Sequence, residues 1–508
     1  MNWLKLNAHA MSFSSSHHPL VSQLKRFAEH PHAAFYTPGH KRGIGVSNPL
    51  KALFGDRLFA ADLPELPGLD NLFSPEGVIQ EAQLLAAQTF GATQSWFLAN
   101  GSTCGIQAAV LATCAPGDHI IVPRNLHQSV VSALILGGVM PIFVTPDADA
   151  HLGIAHGVSA NTIETALEKH PETSAVLVTY PTYYGVGCDL EAIATLTHHH
   201  GIPLLVDEAH GAHFAFHPDL PPSALSQAAD LTVQSTHKVL SALTQASMLH
   251  IQGDRIQSDR VSRALQLVQS SSPSYLLLAS LDAARAQMQE NGMTLMAHTL
   301  ALAHQAHEAI AHIPGIRIFD LDSPNTSAAT YHDATRLTID VSGLGISGFD
   351  ADKQLHDHLG VTAELPGLKT LTFIISLGNT KQDIEHLIHG LRIVSEQSQA
   401  THAVENKETA SNMALIAGHL PASPTVSIPA MSPRDAFFAT SESVAIADAI
   451  GRISAELICP YPPGIPTLLP GERITAEAIQ TLQYVAAAGG VITGCADTSL
   501  KTLTVVGC

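Results

Sequence analysis

The stretch PLLVDEAHGAHF, residues 203–214, followed by LTVQSTHK, residues 231–238, decides how the rest of the chain is read. Each is a short run of mostly branched apolar residues that stops abruptly at polar ones: PLLV ends in Asp207, and LTVQ runs into Ser235, Thr236, His237 and Lys238. Runs of this length without apolar/polar alternation predict strands buried on both faces. Working outward, HIIVP (119–123), PIFV (141–144), AVLVT (175–179) and ASMLHI (246–251) have the same character. Between these strands lie helical patterns over Glu76–Phe90, Leu126–Leu136, Asn161–His170 and Leu190–His200, several opening after Asn, Asp or Pro as helix starts do. The alternation from about residue 75 to 250 predicts an α/β domain with a mostly parallel, doubly wound sheet.

Past residue 275 the pattern changes to a long Ala-rich helical stretch (Leu276–His312), then RLTIDV, a helix near Asp350–His358, and LTFIISL. The chain is therefore expected to divide into an N-terminal arm (1–34), a large domain (35–275), a smaller α+β domain (276–396), a linker (397–430) marked by Pro421, Pro424 and Pro429, and a C-terminal α+β domain (431–508). No repeat at solenoid spacing is seen.

Composition narrows the function. At 508 residues with 45% hydrophobic and 14% charged residues, the chain has ample apolar material for large cores and is too apolar to be disordered. A net charge of -19 disfavours nucleic acid and anionic membranes as partners and suits a cationic small molecule. The six cysteines form no CxxC pair and no metal-ligand spacing, so reduced thiols are expected. Residues 1–18 have no signal-peptide core, and no apolar run reaches the roughly 20 residues of a membrane helix, which leaves the cytoplasm as the expected location. His198–His200 reads as the basic end of a helix before Gly201 rather than a metal site, and no metal is expected.

In an open parallel sheet ligands bind beyond the carboxyl ends of strands, which singles out four segments. Asn100-Gly101-Ser102-Thr103-Cys104-Gly105 opens a helix with small residues and two hydroxyls; alone it reads first as an ordinary N-cap, with a phosphate cradle as the alternative that needs further residues to support it. Asp207 ends a strand ahead of Glu208, Ala209 and His210, where a carboxylate serves either a local turn or a cationic ring nitrogen. DEAH also occurs in helicases, but the chain has no Walker A loop. Lys238, beside His237 and Ser235 at another strand end, is placed to become a desolvated amine nucleophile. His127, in RNLHQS after HIIVP, begins a helix and is available to face a bound ring. Together a phosphate cradle, an imidazole, a carboxylate and a lysine are the parts that hold a phosphorylated pyridine aldehyde, pyridoxal 5′-phosphate (PLP).

These segments resemble the bacterial ornithine/lysine/arginine decarboxylase family of fold type I PLP enzymes. The resemblance runs in order through FYTPGHKRG (35–43), NGSTCG, PRNLHQS, PTYYGVG, VDEAHGAHF, STHK, TQASMLH, SSSPSY, PRDAFFA and CPYPPGIP. It implies that Lys238 carries PLP as a Schiff base, that Asp207 pairs with the pyridine nitrogen and that His127 stacks on the ring. It further implies that Ser102, Thr103, Ser235 and His237 hold or neighbour the phosphate and that His210 lies near the ring. Ser271 matches a position that in relatives reaches the partner subunit's phosphate, and Glu364 in VTAELPG matches an acidic position that recognises the substrate's distal cation. A homodimer or dimer of dimers with the active site at its interface is implied, in a short form without the receiver-like domain that precedes TPGH in long relatives. The expected reaction releases CO2 from a basic L-amino acid and yields an amine that is a di- or polyamine precursor. STHK and TQASMLH lean the substrate toward lysine, with ornithine and arginine left open. An aminotransferase or aldol-type lyase, which would share Lys238 and Asp207, and a noncatalytic PLP- or polyamine-binding relative are the rival readings.

Overall fold

The computed structural model describes residues 18–149, 151–321, 328–402, 426–461 and 465–507. The large domain is built on eight strands: β1 (Gln94–Leu98), β2 (His119–Pro123), β3 (Met140–Val144), β4 (Thr173–Thr179), β5 (Leu204–Asp207), β6 (Leu231–Gln234), β7 (Ser247–Ile251) and β8 (Val426–Ser427). They lie in the order β1-β7-β6-β5-β4-β2-β3-β8. The pairs among β2, β3, β4, β5 and β6 are parallel, β7 runs against both of its neighbours, and β8 runs against β3. β1 therefore runs the same way as β6, and the chain leaves β1, β2, β5 and β6 at one edge of the sheet.

Burial on both faces explains the unbroken apolar runs. Leu204 and Val206 enter the core on one face and Leu205 enters the core on the other. β1 was absent from the predicted strands because its sequence, QSWFL, opens on two polar residues. Ser95 is nonetheless buried, with its hydroxyl 2.6 Å from Nδ1 of His250 on the neighbouring β7. The predicted helices appear over Val78–Phe90, Gln128–Gly137, Ala160–Lys169 and Leu190–His199. In the last of these His198 is held by Asp230 at 2.9 Å, a structural partner for the histidine run.

A 36-residue helix, Tyr275–Ile310, ties the domains together. Its first part buries Tyr275, Leu278, Leu281 and Met288 under the large sheet, while Leu302, Ala303, Ala306 and Ile310 enter the core of the small domain. That domain has a four-stranded antiparallel sheet in which Arg336–Asp340 pairs with Thr370–Ile374, covered by Gly348–Leu359 and Lys381–His402. Backbone pairing of Tyr331 with Gly187 and His332 with Val186 sews the small domain to the loop that follows β4. The C-terminal unit has its own core around Ile458, Leu482, Leu503 and Val505, and Arg124 reaches into it to meet Glu472 at 2.9 Å and the Pro466 and Thr467 carbonyls. Residues 403–425, most of the expected linker, and 1–17 of the expected arm lie outside the described residues. No helix among the described residues is long and apolar enough to cross a membrane.

The first described helix, Pro19–Glu29, docks Leu20 and Leu24 into the large core. It has no cap of its own; Asp282 of the long helix accepts the Leu20 and Val21 N–H groups while pairing with Arg285 at 2.5 Å, both side chains fully buried. Asp282→Ala would leave a buried guanidinium without its counter-ion, and urea unfolding is expected to register a loss of about 3–5 kcal/mol. A loss below about 1 kcal/mol, the scale of a surface ion pair, would show that Arg285 finds other compensation.

Candidate active site

At the shared strand edge, Ala99 and Asn100 follow β1, and the helix Gly101–Thr113 carries Ser102 and Thr103 in its first turn. Gly101 adopts a φ of 78°, which favours glycine, and Asn100 makes no side-chain cap, so the first N–H groups of the helix are not claimed by a capping side chain. Ser235, just beyond β6, donates its hydroxyl to Ser102 Oγ at 2.8 Å and so brings the two segments together. The turn is braced from behind: Gln269 Oε1 accepts the Ala99 N–H at 2.9 Å, and Asn100 Oδ1 accepts the Ser270 N–H at 3.2 Å. A helix start with free donors beside two hydroxyls fits a phosphate group.

Lys238 sits in the single helical turn Thr236–Val239 beyond β6, with Nζ 3.0 Å from Nε2 of His210. Asp207, at the end of neighbouring β5, is 5% exposed and accepts only the Ala209 N–H at 3.2 Å among the hydrogen bonds described. Burial pushes the Lys238 amine below the usual lysine range, with the charges of Arg336 acting in the same direction and those of Asp207 and Glu364 opposing it. Burial pushes Asp207 up, opposed by Lys238 and the Ala209 N–H. His210, also 5% exposed, is held well below the usual imidazole range by burial, then by Lys238 and Arg336. Burial and Lys238 bring His127 down to about 4. His127 caps the helix Gln128–Gly137 with its own ring: Nδ1 accepts the Ser129 N–H at 3.2 Å and lies 2.8 Å from the Ser129 hydroxyl. A neutral ring accepting at Nδ1 carries its proton on Nε2. His237 is held by the backbone, with Nδ1 3.0 Å from the Ala246 carbonyl.

The remaining expected residues are looser. Thr103 and Ser271 are exposed, and Ser271 reaches the cluster through its neighbour Ser270. Glu364 is exposed, its backbone N–H bonded to the Thr372 carbonyl, yet its charge is felt by Lys238, His237 and Arg336. The structure adds residues that the motifs did not single out. Arg336, first residue of the RLTIDV strand, is fully buried and donates to the His210 carbonyl at 3.4 Å. Tyr183 stands edge-on to His210 with ring centroids 5.1 Å apart. The only sequence signal for Arg336 was a cation opening a predicted strand.

A partly buried lysine amine, a strand-end carboxylate, an imidazole that caps a helix and a helix start flanked by hydroxyls are the kinds of group that the site of a fold type I PLP enzyme calls for. The chain belongs to the ornithine/lysine/arginine decarboxylase family: the family's major-domain model matches residues 18–404 and its C-terminal-domain model residues 422–494. Arginine decarboxylases of Halalkalibacterium halodurans and Bacillus subtilis are each 38% identical over 96% of this chain and 97% of their own. The lysine decarboxylase LdcA of Pseudomonas aeruginosa is 26% identical over 92% of this chain and 75% of its own. The Francisella novicida lysine decarboxylase LdcF has the same fold, with a TM-score of 0.81 at 24% identity over 96% of this chain and 81% of that one. This protein is thus a PLP-dependent decarboxylase acting on a basic amino acid.

Gly105, one turn into the cradle helix, is pressed against the sheet: a Cβ there would lie 2.7 Å from Leu98 Cδ1 and 2.7 Å from Val233 Cγ1. Gly105→Ala is expected to cost about 1–3 kcal/mol by overpacking, measured by chemical denaturation, and to weaken PLP retention on dialysis because the helix start moves off Ser235. Unchanged stability and retention would show that the helix has slack.

Proposed function

We propose that the chain decarboxylates arginine, with Lys238 as the amine that binds the cofactor carbonyl and Glu364 as the group that meets the substrate's distal cation. The observation that carries the roles is the 3.0 Å approach of Lys238 Nζ to His210 beside the buried Asp207. Two relatives at 38% identity are named for arginine, against 25–26% for relatives named for lysine, so the lean toward lysine drawn from STHK and TQASMLH gives way to arginine as first candidate. A guanidinium also suits a single carboxylate, which it engages with two parallel N–H donors.

PLP, when bound, supplies the electron sink into which the bond to the departing carboxylate drains. The chain's own groups do the rest. Ser102, Thr103, Ser235 and the first N–H groups of the helix would hold the phosphate. Asp207 would keep the ring nitrogen protonated, a task for which its burial and few partners leave it free. His127, fixed by Ser129, would lay its ring against the cofactor face. Arg336 is closed off behind His210, so in this arrangement it offers no clamp to a substrate α-carboxylate. Leaving that carboxylate unclamped favours its loss as neutral CO2, because ground-state binding of a leaving charge does not lower the barrier. Ser271 would reach a second subunit in a homodimer, as its exposure in the single chain allows.

Steady-state rates for arginine, ornithine and lysine, followed as CO2 and as amine, test the substrate: kcat/KM is expected to be highest for arginine. A preference for lysine or ornithine would overturn the choice of arginine, and amino transfer to a keto acid without CO2 would overturn the role given to the site. Asp207→Asn is expected to lower kcat on the order of 10²–10³, the scale for losing one preorganised electrostatic partner. Glu364→Gln should instead raise KM for the cationic substrate, by about tenfold or more, with kcat nearly kept.

A further inference from the structure

Arg336 is an expensive residue for this fold to keep. Its side chain is fully buried, its Nε and Nη1 have no hydrogen-bond partner among the described residues, and its counter-ion Asp333 stands 3.9 Å from Nε, itself fully buried. A buried ion pair of this kind stabilises less than apolar side chains of the same volume would, so its retention asks for a reason other than stability.

Its surroundings supply one. Asp333 is gripped by the Thr335 N–H (2.9 Å), the Thr335 hydroxyl (2.6 Å) and His213 Nε2 (3.1 Å). The Asp333 N–H in turn donates to the Gly185 carbonyl at 2.8 Å, on the loop after β4. The Arg336 stem lies flush on Gly185, where any Cβ would come within 2.7 Å of Arg336 Cβ. The guanidinium is thus clamped at its base by the seam between the domains, and its one donated hydrogen bond goes to the backbone of His210, the residue under Lys238 Nζ.

We propose that Arg336 is a positioning residue for the reactive lysine: carried by the small domain and pinned to Asp333, it fixes His210 beneath Lys238 and sets the charge that the amine meets. The seating of the small domain and the readiness of the lysine are then one property. The charged and titratable groups that face Lys238 are Asp207 and His210 from the β5 edge, His127 from the β2 edge, His237 beside it, and Arg336 and Glu364 from the small domain. Of these Arg336 is the cation brought by the other domain, and it opposes protonation of the amine.

The inference rests on Lys238 being the reactive amine, and its test reads that amine without turnover. Cofactor-stripped, full-length protein is acetylated competitively across the neutral to alkaline range, and the Lys238 peptide is followed by mass spectrometry against exposed Lys381. Wild-type Lys238 is expected to label with a midpoint below that of Lys381; if it does not, the assignment of the reactive lysine fails before any variant is made. Arg336→Met should move the midpoint up by about one unit, a roughly tenfold loss of labelling at neutral pH, and Arg336→Lys should recover most of it. In the holoenzyme Arg336→Met should lower kcat more than it raises KM. Should Arg336→Met fail to fold, Asp333→Asn/Arg336→Met removes both buried charges together and is read the same way. A labelling profile that stays on the wild-type curve while only the unfolding midpoint falls would make Arg336 purely structural and overturn the proposal.

Discussion

A partly buried amine held beside a carboxylate and an imidazole is the constraint around which this molecule is organised. Burial alone drives Lys238 toward its neutral, nucleophilic form and drives Asp207 toward protonation, while the attraction between the two opposes both shifts. The nearness of Lys238 favours the ionised form of Asp207, while Asp207 holds back part of the drive of the amine toward neutrality, and the two are near because β5 and β6 are adjacent and parallel, which the pairing of Asp207 with Val233 secures. The cradle at Ser102 joins this edge because β7 turns back between β6 and β1 and leaves β1 pointing the same way as β6. The long helix Tyr275–Ile310 then holds the small domain where Glu364 and Arg336 act on the same amine.

What could be read in the sequence was whatever obeys a local rule. Strands buried on both faces appear as unbroken apolar runs, and their polar ends mark the site edge, so Asp207, Ser235 and Lys238 stood out by position. β1 did not, since Ser95 is polar by composition and buried by virtue of His250, a partner 155 residues away. Arg336 was hidden for the same reason. Its burial comes from the pairing of Tyr331 and His332 with the loop after β4, a contact between domains that no window of sequence contains. His127 was visible as a helix-start histidine, but its lock on Ser129 depends on ring orientation, which spacing does not report.

The division of labour between domains follows from these partners. On the proposed assignment the large domain carries the groups that would hold PLP, each of them anchored to the sheet edge within a few residues of a strand end. The small domain adds charge: a negative one at Glu364, which is exposed, and a positive one at Arg336, sealed behind His210. Discrimination among basic amino acids, which differ in length and head group, is then expected to depend on the small domain and on whatever a second subunit contributes near Ser271. The chemistry shared by the family is expected to depend on Lys238 and its buried neighbours.

The central claim is that Lys238 is the amine to which the cofactor is bound. Borohydride reduction of the PLP-loaded protein followed by peptide mapping tests it in one step. A single pyridoxyl-bearing peptide containing Lys238 is the predicted result, and an adduct on any other lysine, or none after loading with PLP, would contradict it.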